Sequence, residues 1–304
     1  MQVAGLEQPP YDTSLMGVVK GALDHFGLDH TAAEAFVVSG HAFVINIHEE
    51  LCPSGPYVWN YETFMRLVRN LGLEMEPLGT LLAATSTPEE KADLEDKVKA
   101  AMDQGAVCSL LNLDNQLLLG YDDEGLIAAQ PWSAAVDSTP GRLTFGSWKE
   151  YAAGPPVTFF QFTEGSPPSK APVHEALDFA VEVWENSDRY VEDHYGLGAA
   201  AYANWLGAID AGHGDEHGNW WNAVVWAECR ERAGDYFQSV AAAEFPGAID
   251  RQRARLLAVD YRALSRLLYR ASDKTAPAEQ KHLLVTKARD LESRCVERIA
   301  ELRA

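Results

Sequence analysis

The hydrophobic pattern of this chain changes period near residue 165. Before that point short apolar runs are separated by turn signals; after it apolar residues recur almost throughout at helical spacing. Between the halves lies Glu164-Gly-Ser-Pro-Pro-Ser-Lys-Ala-Pro172. Proline fixes φ and lacks an N–H, so neither a helix nor a central strand continues through such a stretch. The expected organisation is a first domain over residues 1–163, a linker over 164–172 and a second domain over 173–304. A length of 304 residues suits two domains, and 47% hydrophobic residues supply a core for each.

In the first half, Leu15, Val18, Val19, Ala22, Leu23 and Phe26 keep helical spacing. Thr13 or Ser14 is the expected N-cap and Gly27 the stop. Thr31 followed by Glu34 fits a capping box. Ala42–Ile47 alternates and is β-branched, which predicts a strand. A short helix is expected from Tyr61 to Asn70, closed by Gly72, and another begins at Thr87-Pro-Glu-Glu with proline at its first position. Strands are expected at 107–111, 116–121, 126–129, 143–145 and 157–162, with Asp122-Asp-Glu-Gly125 as a hairpin turn. Helices followed by antiparallel strands read as α+β. The second half predicts five helices, near 173–192, 197–211, 218–244, 248–271 and 277–303, packed as an all-α helical bundle.

Charge narrows the partners. Against 25 basic residues stand 45 acidic ones, a formal charge of −20. That field repels polyanions, so neither nucleic acid nor an anionic membrane surface is an expected partner. No run of about 18 apolar residues is present, which argues against a membrane span. The N-terminal MQVAGLEQPPYD has neither a basic nor an apolar signal region. Four scattered cysteines without a CxxC pair suggest reduced thiols. A cytoplasmic location is the expectation. No cofactor is expected either, since GxGxxG after a strand, GxxxxGK[ST] and HExxH are all missing.

Three segments carry candidate chemistry. Ser39–Trp59 brings His41, His48, Cys52, Tyr57 and Trp59 into a turn-rich stretch, readable as a thiolate–imidazole pair, a pocket lining or plain turn packing. A single Cys–His spacing falls short of the three or four ligands zinc needs. Asn115–Gly125 is either a strand presenting polar side chains to a cleft or a hairpin with an acidic turn. Ala211–Asn222 holds His213, His217, Asn219, Trp220 and Trp221 with three glycines. It is expected as an interhelix loop that packs, binds an organic ligand or covers a cleft; His213 and His217 with Asp215 and Glu216 also resemble metal ligands by content.

The helix after Thr13, then Gly27, Gly40-His41 and Gly120-Tyr121-Asp122, together with the helical second half, resemble the papain-like cysteine-peptidase superfamily. The similarity is to the branch containing the N-terminal domain of the butirosin-biosynthesis acyltransferase, and covers residues 10–163. It implies a papain-like domain of helix plus antiparallel sheet. In active members a cysteine opens the first helix, where amides and the helix dipole lower its pKa. Spacing back from Gly27 puts Ser14 there, or Thr13 if the register slips by one. The family's histidine base falls on Asp114 or Asn115, and its orienting residue, which precedes a proline, on Gln130.

A serine without a base is a poor nucleophile at neutral pH. The resemblance therefore implies a pseudoenzyme, a binding or scaffold protein whose old cleft takes a small molecule or peptide. Two alternatives stand beside it. One is an amide hydrolase or acyltransferase with chemistry relocated to Cys52 and His41 or His48. The other is a structural homo-oligomer joined through Trp184, Trp205, Trp220, Trp221 and Trp226.

Overall fold

The computed structural model describes residues 1–132, 139–165, 172–243 and 249–303. The chain divides into two compact units, Met1–His30 with Val68–Pro168, and Thr31–Leu67 with Ser169–Ala304. Residues 166–171 of the expected linker lie outside the described residues, as do residues 244 and 248 at two expected helix ends. Among the described residues no helix is long and apolar enough to cross a membrane.

The first unit, here the sheet unit, contains α1 (Ser14–His25), β2 (Leu73–Leu81), α4 (Pro88–Asp103), β3 (Val107–Leu111), β4 (Asn115–Tyr121), β5 (Gly125–Ala128), β6 (Arg142–Thr144) and β7 (Val157–Glu164). The second, the helical unit, contains α2 (Ala32–Val38), β1 (Asn46–His48), α3 (Glu62–Val68), α5 (Pro172–Glu185), β8 (Tyr195–Leu197), α6 (Ala199–Asp210), α7 (His217–Ala242), α8 (Arg251–Ala271) and α9 (Ala278–Arg303). The architecture is mixed helix and antiparallel sheet, as the patterning leads one to expect.

Six antiparallel strands run in the order β2-β7-β3-β4-β5-β6. Strand β2 was not expected, because Pro77 and Gly79 interrupt its pattern. It lies at the sheet edge, where a missing N–H removes no ladder bond, and the register shifts between those two residues. Side chains alternate along β4, and this alternation separates two layers. Leu118 packs with Leu94, Val98 and Met102 of α4, and with Cys108, Leu110, Trp148 and Phe159. Leu117, on the opposite face, meets α1, where Gly21 permits close approach: a Cβ there would sit 2.6 Å from Leu117 Cδ1. Thus α1 and α4 cover opposite faces of the sheet. The start of α4 follows its sequence signals, with Thr87 and Glu90 forming a capping box and Pro88 in the first turn.

The helical unit departs from the expected division, because residues 31–67 fall with it and not with the strands. Their partners are distant in sequence. Strand β1 pairs with β8, Asn46 opposite Leu197 and His48 opposite Tyr195. Asn204 Nδ2 donates to Ile47 O at 2.9 Å, and Gly198 N–H to Ile45 O at 2.9 Å. The expected strand 42–47 is mostly absent. His41–Phe43 form a 3-10 turn after Gly40 (φ 77°), and the Val44 carbonyl accepts from the buried Arg230 guanidinium. Of the expected strand only Asn46 and Ile47 are paired, within β1 (Asn46–His48).

Candidate functional site

In the sheet unit, strand alternation decides which residue meets the start of α1. Asn115 shares the face of Leu117 and turns toward Ser14, whereas Gln116 turns to the other layer. The Asn115 backbone N–H donates to Ser14 Oγ at 3.1 Å, and its side-chain Nδ2 donates to the same oxygen at 3.3 Å. Ser14, the first residue of α1, is only 2% exposed, and Asn115 only 1%. Of the alternatives Asp114 and Asn115, it is Asn115 that the fold brings to Ser14. Asp114 lies in the preceding turn, its carbonyl accepting from Asn112 N–H at 3.2 Å. Thr13 is the N-cap, with no side-chain capping bond.

Gln130 is held elsewhere, its Nε2 donating to Thr139 O at 2.7 Å. Gln116 bridges instead, donating to Ala129 O at 2.6 Å and Pro140 O at 3.0 Å. A further residue escaped the sequence reading. Gln8 donates through Nε2 to Asn115 O and accepts at Oε1 from Leu117 N–H, both at 2.8 Å. This fork clamps β4 on either side of Gln116 and fixes the depth at which Asn115 meets α1. No local motif marks Gln8.

The chemistry available here is limited. The sheet unit contains two histidines, His25 and His30. His25 ends α1, roughly 16 Å along the helix from Ser14 at 1.5 Å per residue. His30 Nε2 is 3.1 Å from Leu71 O. Its one cysteine, Cys108, is buried, and that burial pushes its thiol up to about 12. The Gly120-Tyr121-Asp122 segment forms a hairpin: Asp122 accepts from Glu124 and Gly125 N–H and pairs with both arms of Arg142. Gly120 lets the N-terminal segment approach, since a Cβ there would meet Met1 O at 2.4 Å.

The remaining candidates all belong to the helical unit. His41 is fully buried, stacked on Trp226 at 6.2 Å and edge-on to Trp59 and Phe64. Desolvation, then the positive field of Arg230, lowers its pKa to about 3, so its imidazole stays neutral. Its Nδ1 lies 3.6 Å from Cys229 Sγ. Cys52 takes a different partner: Ser54 Oγ lies 2.8 Å from Cys52 Sγ and 2.7 Å from Tyr195 OH. His48 accepts from Glu50 N–H and packs edge-on against Tyr195. Among the described residues, neither His41 nor His48 is hydrogen-bonded to Cys52, a bond that the alternative of chemistry relocated to Cys52 requires.

Residues 217–222 are the first turns of α7, in line with the helix expected from 218, so that the loop expected over 211–222 ends at Glu216. Gly218 allows this, because a Cβ there would fall 1.6 Å from Leu51 O. The stretch does reach the 40–59 segment: Trp221 Nε1 donates to Tyr57 OH at 3.1 Å and Asn222 Nδ2 to Cys52 O at 3.0 Å. Asn219 is a strut, accepting from Trp205 Nε1 and donating to Ala271 O. His213 bonds Glu216, and Trp220 lies under Lys274, 4.5 Å from nitrogen to ring centre. Among the described residues no group of three or more His, Cys, Asp or Glu is arranged to hold a metal.

Sequence reasoning also missed several buried polar atoms of this unit, four of them on residues 41–46 and the first half of α7. His41 Nε2, Asn46 Oδ1, Asn222 Oδ1 and Trp226 Nε1 have no hydrogen-bond partner among the described residues. The asparagine orientations are set by their nitrogens, which donate to Gly55 O and Val58 O, and to Cys52 O and Gly218 O. The only local signal is the four-residue spacing of Asn222 and Trp226. Comparison with protein-family models gives no match, and comparison with curated proteins gives none either.

Proposed function

We propose that this chain is a catalytically degenerate papain-like protein that binds a small molecule or peptide instead of cleaving one. The observation that carries the reading is the Ser14–Asn115 pair. A serine occupies the start of the helix, where the resemblance expects the nucleophile, and an asparagine faces it where a base is expected. An amide takes up no proton at neutral pH in either orientation. A hydroxyl that accepts two N–H groups is held as an acceptor and not activated as a nucleophile.

Support for binding comes from the helical unit. Two carbonyl oxygens, an indole N–H and an imidazole nitrogen on residues 41–46 and α7 lack hydrogen-bond partners among the described residues, as does Arg230 Nε on the same helix. Buried polar groups in folded proteins nearly always have partners, so such a set suits a small neutral polar ligand bearing amide or hydroxyl groups. Native mass spectrometry of the purified protein tests this. The expected spectrum has a mass increment of a small molecule that is lost on denaturation and weakened by Asn222→Ala. A spectrum of the bare chain, unchanged by added small amides and polyols, would count against binding at these atoms.

A further inference from the structure

Helix α8 carries charge of the opposite sign to the rest of the chain. Over Arg251–Ala271 it has six arginines, no lysine and one carboxylate, Asp260, on a chain of net charge −20. Its apolar positions Leu257, Tyr261, Leu264 and Leu268 are buried. At 100° per residue, Arg255, Val259, Arg262, Arg266 and Arg270 fall within about 80° of one another on the opposite face. Arg262 pairs with Asp235 at 2.9 Å. Arg255, Arg266 and Arg270 are exposed and form no ion pair among the described residues. Val259, 60% exposed, lies among them, and Leu256, 46% exposed, borders the face on one side.

An outward helix face usually carries charged and polar residues. Here it offers unpaired guanidinium groups around exposed Val259, with exposed Leu256 at the edge of the face. We infer that this face of α8 docks an acidic amphipathic helix of another protein, its carboxylates on Arg255, Arg266 and Arg270 and its apolar stripe on Leu256 and Val259. Guanidinium forks match carboxylates through paired hydrogen bonds, which a row of lysines does not. From Arg255 to Arg270 the face runs about 22 Å, the length of a four-turn helix. An anionic bilayer or a nucleic acid extends beyond this stripe and meets the acidic remainder of the molecule. A helix about 10 Å across stays within a Debye length of the arginines.

The inference is independent of the binding reading above and is tested separately. The probe is a fluorescein-labelled peptide of about 18 residues made of glutamate and leucine, with leucines at helical spacing. Fluorescence anisotropy is expected to show binding that weakens as salt rises, and that falls at least about tenfold in Arg255→Glu/Arg266→Glu/Arg270→Glu. The substitutions are on the surface, and unchanged circular dichroism and thermal unfolding confirm the fold. The reversed variant is expected to bind the lysine–leucine counterpart instead. No peptide binding, or equal binding by wild type and variant, overturns the inference. So does co-sedimentation with equimolar phosphatidylserine–phosphatidylcholine vesicles in place of peptide binding, or self-association abolished by the same substitutions.

Discussion

Asn115 presents N–H groups to Ser14, with backbone N and Nδ2 at 3.1 and 3.3 Å from the hydroxyl oxygen. Both residues are buried, so the bond to the backbone N–H is structural: water does not replace it when it is removed. Ser14→Ala leaves a buried donor unpaired and is expected to destabilise the sheet unit by about 1–3 kcal/mol. Urea unfolding measures this; a change below about 0.5 kcal/mol would mean that the contact contributes little.

Arg230 and Glu292 form a buried ion pair in the helical unit, with Tyr202 OH also donating to Glu292 at 2.5 Å and Arg230 also donating to Val44 O. Removing one partner strands the other charge away from water. Arg230→Met is expected to cost about 3–5 kcal/mol, and adding Glu292→Leu to return at least about 1 kcal/mol. A double variant as unstable as the sum of the two singles would show that the pair is not coupled.

His41 makes stability depend on pH. Its folded pKa, about 3, lies below the ordinary 6.5, so between these values the unfolded chain binds a proton that the folded chain does not. Stability from this group is fully present above pH 6.5 and is lost as pH falls toward 3, by up to about 1.4 kcal/mol per pH unit. His41→Phe fits the aromatic surroundings and removes the proton site. Urea midpoints at pH 7.5 and 4.5 are expected to differ less in this variant than in wild type; an equal difference would remove His41 as the cause.

The first helix, the Thr31–Glu34 capping box of α2, the proline start of α4 and the hairpin at Asp122–Gly125 were legible because each is set by residues a few positions apart. The meeting of Ser14 with the start of β4 was legible only through a family resemblance, since it joins residues 101 apart. What local pattern does not encode is where 31–67 belongs. That segment reads as helix and strand, yet its backbone bonds run to Tyr195–Leu197, Asn204 and Arg230, over 140 residues away. Likewise nothing near His41 indicates that Cys229 lies beside it while Cys52 pairs with Ser54. Edge strand β2 was hidden by Pro77, a residue tolerated only because of a position in the sheet that sequence does not reveal.

Pre-steady-state hydrolysis of p-nitrophenyl acetate by wild type and by Ser14→Ala measures most directly whether Ser14 is a nucleophile. The expected result is no burst of nitrophenolate and the same slow rate for both proteins, with no acetyl group on Ser14 by mass spectrometry. A burst stoichiometric with wild-type protein, missing from Ser14→Ala and accompanied by acetylated Ser14, would show an active serine and contradict the degenerate reading.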